Sequence, residues 1–103
     1  MKKEEIKKMN EKVVDAYSQM INEEMHYLGR LRTCNARVYE SEHYYILESY
    51  RTIVAFLDKR TDTIYDILRL VYGYTSTSAQ HIVKFSHDYS LSGRPWLFRY
   101  HEI

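Results

Sequence analysis

The sequence predicts an α+β domain. It has a long N-terminal helix, a three- to four-stranded antiparallel β-meander, a second capped helix and a short aromatic C-terminal strand or tail. Three observations carry this reading. Apolar residues recur at three- to four-residue spacing only near the two ends of the chain, over residues 2–28 and 76–89. Between them, β-branched and aromatic residues gather into short runs separated by polar turns. Those separations are two to four residues, too short for crossover helices, so consecutive strands must run antiparallel.

The first element is a helix within residues 1–29. Ile6, Met9, Val13, Ala16, Tyr17, Met20, Met25 and Leu28 fall close to one helical face, with Lys and Glu between them and Gly29 as the expected stop. At this length it spans about 40 Å, so it must lie across a sheet, protrude or pair with another copy. If only part of the Met9–Val13–Tyr17–Met20 seam packs on the sheet, a homodimer through this helix follows. Residues 30–74 are expected to form the sheet. Its strands are Ala36–Glu40, Tyr44–Ser49, Thr52–Asp58 and Thr63–Leu68, with turns at Ser41–His43 and Lys59–Asp62. The apolar run Ile53–Leu57 suits a strand buried on both faces. Residues 75–90 hold the second helix, for which Thr77 with Gln80 three residues on reads as a capping box. Gly93 and Pro95 break the chain, and in 91–103 Trp96, Phe98 and Tyr100 alternate with Leu97, Arg99 and His101.

At 103 residues the chain is one domain. Fifteen basic against 14 acidic residues exclude a strongly acidic nucleic-acid mimic and a purely electrostatic nucleic-acid binder. The longest apolar run is five residues, so no membrane-spanning helix is expected. The lysine-rich start has no apolar stretch behind it, so no signal peptide is expected, and a lone cysteine cannot form an internal disulfide. The expected compartment is therefore the cytoplasm. Charge is uneven along the chain. Residues 29–39 contain Arg30, Arg32 and Arg37 with no acid, whereas residues 40–58 contain four acids against Arg51.

Tyrosine is the commonest residue, with 11 copies, seven of them between Tyr39 and Tyr74. A half-buried meander turns alternate residues outward, so at least three tyrosines are expected to be exposed. Tyr and Arg are the side chains interfaces use most heavily, which makes Arg37, Tyr39, Tyr44, Tyr50, Arg51 and Tyr74 the candidate partner-binding residues. The same Arg and Tyr set on a sheet face is the basis of the alternative, a small nucleic-acid-binding or regulatory protein.

Catalytic chemistry finds less support. Cys34 has no protease or transferase signature around it. Ser76 and Ser78 lie in no nucleophile elbow, and their first role is at the start of the second helix. No cofactor or metal site is expected. Glu23 and His26 have a ligand spacing that is not repeated, and His81 and His87 lie six apart, on different helix faces. His81 is a possible polar site. It could contact an anion beside the helix N-terminus, but a structural histidine bonded to a neighbouring strand is favoured.

Three segments resemble a family of small bacteriophage and mobile-element proteins for which no enzyme activity is established. They are Asn35-Ala36-Arg37-Val38, Ser49-Tyr50-Arg51-Thr52-Ile53-Val54-Ala55-Phe56-Leu57-Asp58, and Tyr74-Thr75-Ser76-Thr77-Ser78-Ala79-Gln80-His81-Ile82-Val83-Lys84-Phe85. The resemblance covers residues 35–89. It implies a non-enzymatic accessory protein, cytoplasmic in a bacterial host, that binds and inhibits a host macromolecule by steric occlusion. A defence nuclease is the leading case, with anti-CRISPR-type inhibition of a Cas effector or its ribonucleoprotein.

Overall fold

A computed structural model describes residues 2–31 and 35–102 of the chain. The elements in order are α1 (Lys3–Met20), β1 (His26–Arg30), β2 (Ala36–Glu40), β3 (Tyr44–Ser49), β4 (Thr52–Asp58), β5 (Thr63–Asp66), α2 (Leu68–Val71), α3 (Ser76–Tyr89) and β6 (Trp96–Arg99). The class is α+β as expected, but the sheet has six strands rather than three or four. They lie in sequence order from β1 to β6. The first five are joined antiparallel, while β6 runs parallel to β5. The reason is connectivity: α2 and α3 lie between β5 and β6, long enough to carry the chain back to the starting end of the sheet.

The first helix is shorter than its apolar spacing suggests. It closes at Met20, where the Asn22 amide donates to the Ser18 carbonyl and the Glu23 N–H reaches the Met20 carbonyl. Met25 and Leu28 continue the helical spacing but lie beyond that turn, and residues 26–30 are a strand. A second link holds the turn. The Glu23 carboxylate accepts from the Ser41 hydroxyl at 2.8 Å and the His43 N–H at 3.0 Å, and it meets the His43 Nδ1 at 2.6 Å. Burial opposes the Glu23 charge, but these hydrogen bonds outweigh it and hold the carboxyl below its ordinary range. Gly29 is not a helix stop; it sits where the β1–β2 register shifts.

β2, β3 and β4 begin and end where the sequence places them. The strand expected over Thr63–Leu68 stops at Asp66, whose carboxylate accepts from the Leu68 N–H two residues on and turns the chain into α2. The cap of α3 also differs from expectation. Thr75 is the N-cap and accepts from the Ser78 N–H at 3.4 Å. Thr77 and Gln80 lie two residues too deep in the helix to form the predicted box, because the helix already starts at Ser76 and its N-cap is Thr75.

Helices cover both faces of the sheet. α1 packs on β5 and β6, and α3 packs on β3 and β4. Val13 and Met20 of α1 pack with Tyr44, Ile46, Phe56, Tyr65 and Ile67. Ile82 and Phe85 of α3 pack with Ala36, Val38, Leu47, Ala55, Leu57 and Ile64. β4 feeds both cores, as its apolar run predicts. The α1 seam is largely occupied by the sheet: Val13 and Met20 are fully buried, and Ala16 and Tyr17 pack against the same core.

Most tyrosines serve this architecture. One row of paired residues crosses the whole sheet as Tyr27, Tyr39, Ile46, Phe56, Tyr65 and Phe98. Its rings touch at 5.6 Å (Tyr27–Tyr39), 5.0 Å (Phe56–Tyr65) and 5.7 Å (Tyr65–Phe98). Offset and edge-on contacts of this kind add to the burial of the rings themselves. Among the described residues, no helix is long and apolar enough to cross a membrane.

Candidate binding surface

α1 covers the β5–β6 side of its face and leaves the β1–β2 side more open. Cross-strand pairing there sets Arg30 beside Arg37, and Arg37 beside Glu48. Arg30 and Arg37 are exposed, and the Arg37 guanidinium lies 3.9 Å from the Glu48 carboxylate. Two shallow hollows meet at Arg37. One, of about 290 Å³, is lined by Tyr27, Arg30, Arg37 and Tyr39. The other, of about 240 Å³, is lined by Asn35, Arg37, Glu48, Tyr50 and Arg51. Three guanidiniums therefore share this corner with one carboxylate.

The β3–β4 turn forms the far wall of the second hollow. Ser49 pairs with Thr52, so the turn contains only Tyr50 and Arg51, with φ of 49° and 68°. Two-residue hairpins of this kind normally use Asn-Gly, because a side chain at positive φ crowds its own backbone. Here both positions hold large side chains. The Tyr50 N–H donates to the Asn35 carbonyl at 3.0 Å, and the Tyr50 ring packs on the His81 ring at 5.9 Å. Arg51 is exposed beside it.

His81 supports the turn from below. Its Nδ1 shares a 2.8 Å hydrogen bond with the Ser49 hydroxyl, which shares another of 2.9 Å with the Ser78 hydroxyl. All three residues are buried. Burial, with Lys84 nearby, pushes the His81 imidazole below its ordinary pKa, so it is neutral at pH 7. The network ties the first turn of α3 to the end of β3. The His81 bond therefore runs to a neighbouring strand.

Of the six candidate partner-binding residues, Arg37, Tyr50 and Arg51 come together in one hollow, and Tyr39 lines the adjoining one. Tyr74 is exposed at the same end of the sheet with the Arg69 guanidinium 4.9 Å above its ring, but it lines neither hollow. Tyr44 does not belong to the surface. It is 1% exposed, packs edge-on against Phe56 and accepts from the Arg60 guanidinium at 3.1 Å. Its parity on β3 is that of Ile46, which faces α1. The exposed tyrosines are Tyr27, Tyr50, Tyr72 and Tyr74, in keeping with the expected minimum of three. Sequence reasoning missed Tyr27, because it falls within the helix expected over residues 2–28, and missed Glu48 and Asn35 as wall residues. Cys34 and Arg32 lie outside the described residues. Comparison with known protein families, with characterised proteins and with solved structures finds no match.

Proposed function

We propose that this is a non-enzymatic binding protein whose recognition surface is the corner formed by Tyr27, Arg30, Arg37, Tyr39, Tyr50 and Arg51. The observation that carries the reading is the Tyr50–Arg51 turn. Two bulky residues are held at positive φ where Asn-Gly would relieve the backbone. Strain of this kind is kept where the side chains have work to do, and these two stand beside Arg37 over a shared hollow. Rigid tyrosines and arginines beside a shallow hollow suit a partner with acidic and aromatic groups. Glu48 among the arginines favours a protein over a phosphodiester chain, since it repels phosphate and offers a second sign of charge to a protein surface.

The resemblance to phage and mobile-element proteins makes a host macromolecule the proposed partner, and a defence nuclease such as a Cas effector the first to test. The mechanism is steric: the corner occupies a surface the partner needs. The test is capture from bacterial lysate with the wild-type protein and with Tyr50→Asn/Arg51→Gly. The double variant relieves the turn, so it is expected to be more stable by about 1 kcal/mol and to lose the captured partner. Capture by the relaxed variant at wild-type strength would overturn the assignment of the surface. The alternative, direct nucleic-acid binding by the same corner, predicts a mobility shift of labelled DNA or RNA that strengthens as salt falls. No shift at low salt removes it.

A further inference from the structure

The two edges of the sheet are finished differently. β1 carries the register shift between Tyr27 and Gly29, a device that turns an edge away from further pairing. β6 carries no such shift, and its side chains are open: Trp96 is 72% exposed and Leu97 50%. Neighbouring bonds show which backbone groups of β6 are free. The Trp96 N–H donates to the Asp62 carbonyl and the Tyr100 N–H to the Asp66 carbonyl, so even-numbered residues turn toward β5. Odd-numbered residues turn outward. At His101 that edge is already closed by Asn10 of α1, which accepts from the His101 N–H and donates to its carbonyl, each at 2.8 Å. Leu97 and Arg99 are left facing outward, with the carbonyl of Pro95 before them.

The same edge is largely apolar on the α3 side. Ile64, Ile82, Val83, Pro95 and Leu97, together with Ser86 and the Asp66–Arg99 ion pair, line a hollow of about 260 Å³ between β6 and α3. Val83 is 68% exposed, and Leu91 projects from the loop that Asp62 holds through the Leu91 and Ser92 N–H groups. Trp96, Leu97, Val83 and Leu91 together expose on the order of 400 Å² of apolar surface, a patch of interaction-site size.

We infer that β6 pairs antiparallel with β6 of a second copy of this chain, across a twofold axis at Leu97. In this register each Leu97 N–H donates to the Leu97 carbonyl of the other copy. Each Arg99 N–H reaches the Pro95 carbonyl opposite, while proline has no N–H to return and leaves the Arg99 carbonyl to water. A twofold axis through the sheet keeps each face on its own side. Leu97 therefore meets Leu97, with Val83 of both copies flanking them on the α3 side. Trp96 meets Phe98 on the α1 side. The apolar patch alone supplies about half of the roughly 800 Å² per partner of a standard interface. The two sheets of six strands become continuous, and the two Tyr50–Arg51 corners point to opposite ends of the pair.

Sedimentation equilibrium over a wide concentration range tests the inference. Wild-type protein is expected to reach twice the 12.5 kDa chain mass at high micromolar concentration. Leu97→Pro removes an N–H that faces solvent in the free chain, so the fold survives while the dimer weakens by about tenfold or more. Leu97→Lys provides the same test without a backbone change, should the proline variant misfold. In a Cys34→Ser background, Leu97→Cys is expected to close an intermolecular disulfide under mild oxidation and Trp96→Cys is not. A chain that stays at 12.5 kDa at every concentration overturns the inference. So does a dimer that both Leu97 substitutions leave intact. Partner capture by Leu97→Lys should match wild type, which separates this interface from the recognition corner.

Discussion

The Ser78–Ser49–His81 network shows how a residue that resembles a catalytic base can act as a fastener. The imidazole and both hydroxyls are buried and hydrogen-bonded to each other, and the exposed ring in contact with them is Tyr50. A histidine whose pKa is lowered by folding makes stability pH-dependent in a definite direction. Its contribution is present above the unfolded value of 6.5 and is lost as pH falls through the lower folded value, because the unfolded chain takes up the proton first. The melting temperature should therefore drop on acidification below about pH 6.5. His81→Ala should remove that slope and lower stability at pH 7 by about 1–3 kcal/mol, both measurable in melting curves across pH. An unchanged slope in the variant would assign the pH dependence elsewhere. The loss should also loosen Tyr50, whose ring rests on the imidazole, so partner capture should weaken without any change to the exposed arginines.

At the scale of elements, the cap of α3 offers the cleanest contrast between spacing and structure. Thr75→Ala should cost about 1 kcal/mol, because its hydroxyl satisfies the Ser78 N–H that no residue inside the helix can reach. Thr77→Ala should cost a few tenths at most, since Thr77 is an exposed residue of the first turn. Denaturant melts of the two variants decide between them, and equal losses would restore the box predicted at Thr77 and Gln80. The same contrast explains how much was legible in advance. β2, β3, β4 and α3 were legible to the residue, because each combines a local pattern with a local stop: two-residue or polar turns for the strands, and a hydroxyl-rich start for the helix. The end of α1, β1 and the direction of β6 were not. Met25 and Leu28 keep a helical spacing although Met25 reaches the core from beyond the helix and Leu28 is exposed. β1 is exposed along most of its length, so no alternation marks it. The parallel setting of β6 depends on where α3 returns the chain, a long-range fact with no local signature. The proposed recognition corner was half legible: Arg37, Tyr39, Tyr50 and Arg51 follow from composition and turn position. The burial of Tyr44 requires knowing which face α1 covers.

For the molecule as a whole, the first and last elements depend on each other. α1 reaches the sheet mainly over β5 and β6, and β6 is the last strand to join. Their meeting point is Asn10, buried, with its side-chain amide bonded to both backbone groups of His101 across 91 residues of sequence. Phe98 adds its ring to the row beneath α1, with the Lys12 ammonium 4.5 Å above it. The interior of the sheet does not rely on this clamp, because β2, β3 and β4 pair with sequence neighbours and carry α3 on the other face. Asn10→Ala should therefore cost about 1–3 kcal/mol by leaving the His101 N–H and carbonyl unpaired, and the cost should be uneven. Hydrogen exchange should quicken at Phe98 and Tyr100, whose amides face β5, and along α1. The amides of β3 and β4 should keep their protection until global unfolding. Uniform acceleration across the sheet would instead mean that both layers unfold as one unit. The outcome bears on the dimer as well, because Asn10 closes the edge at His101. A sheet edge lengthened by its removal should pair with a second copy more readily, so Asn10→Ala should raise the fraction of dimer even as it lowers the stability of each chain.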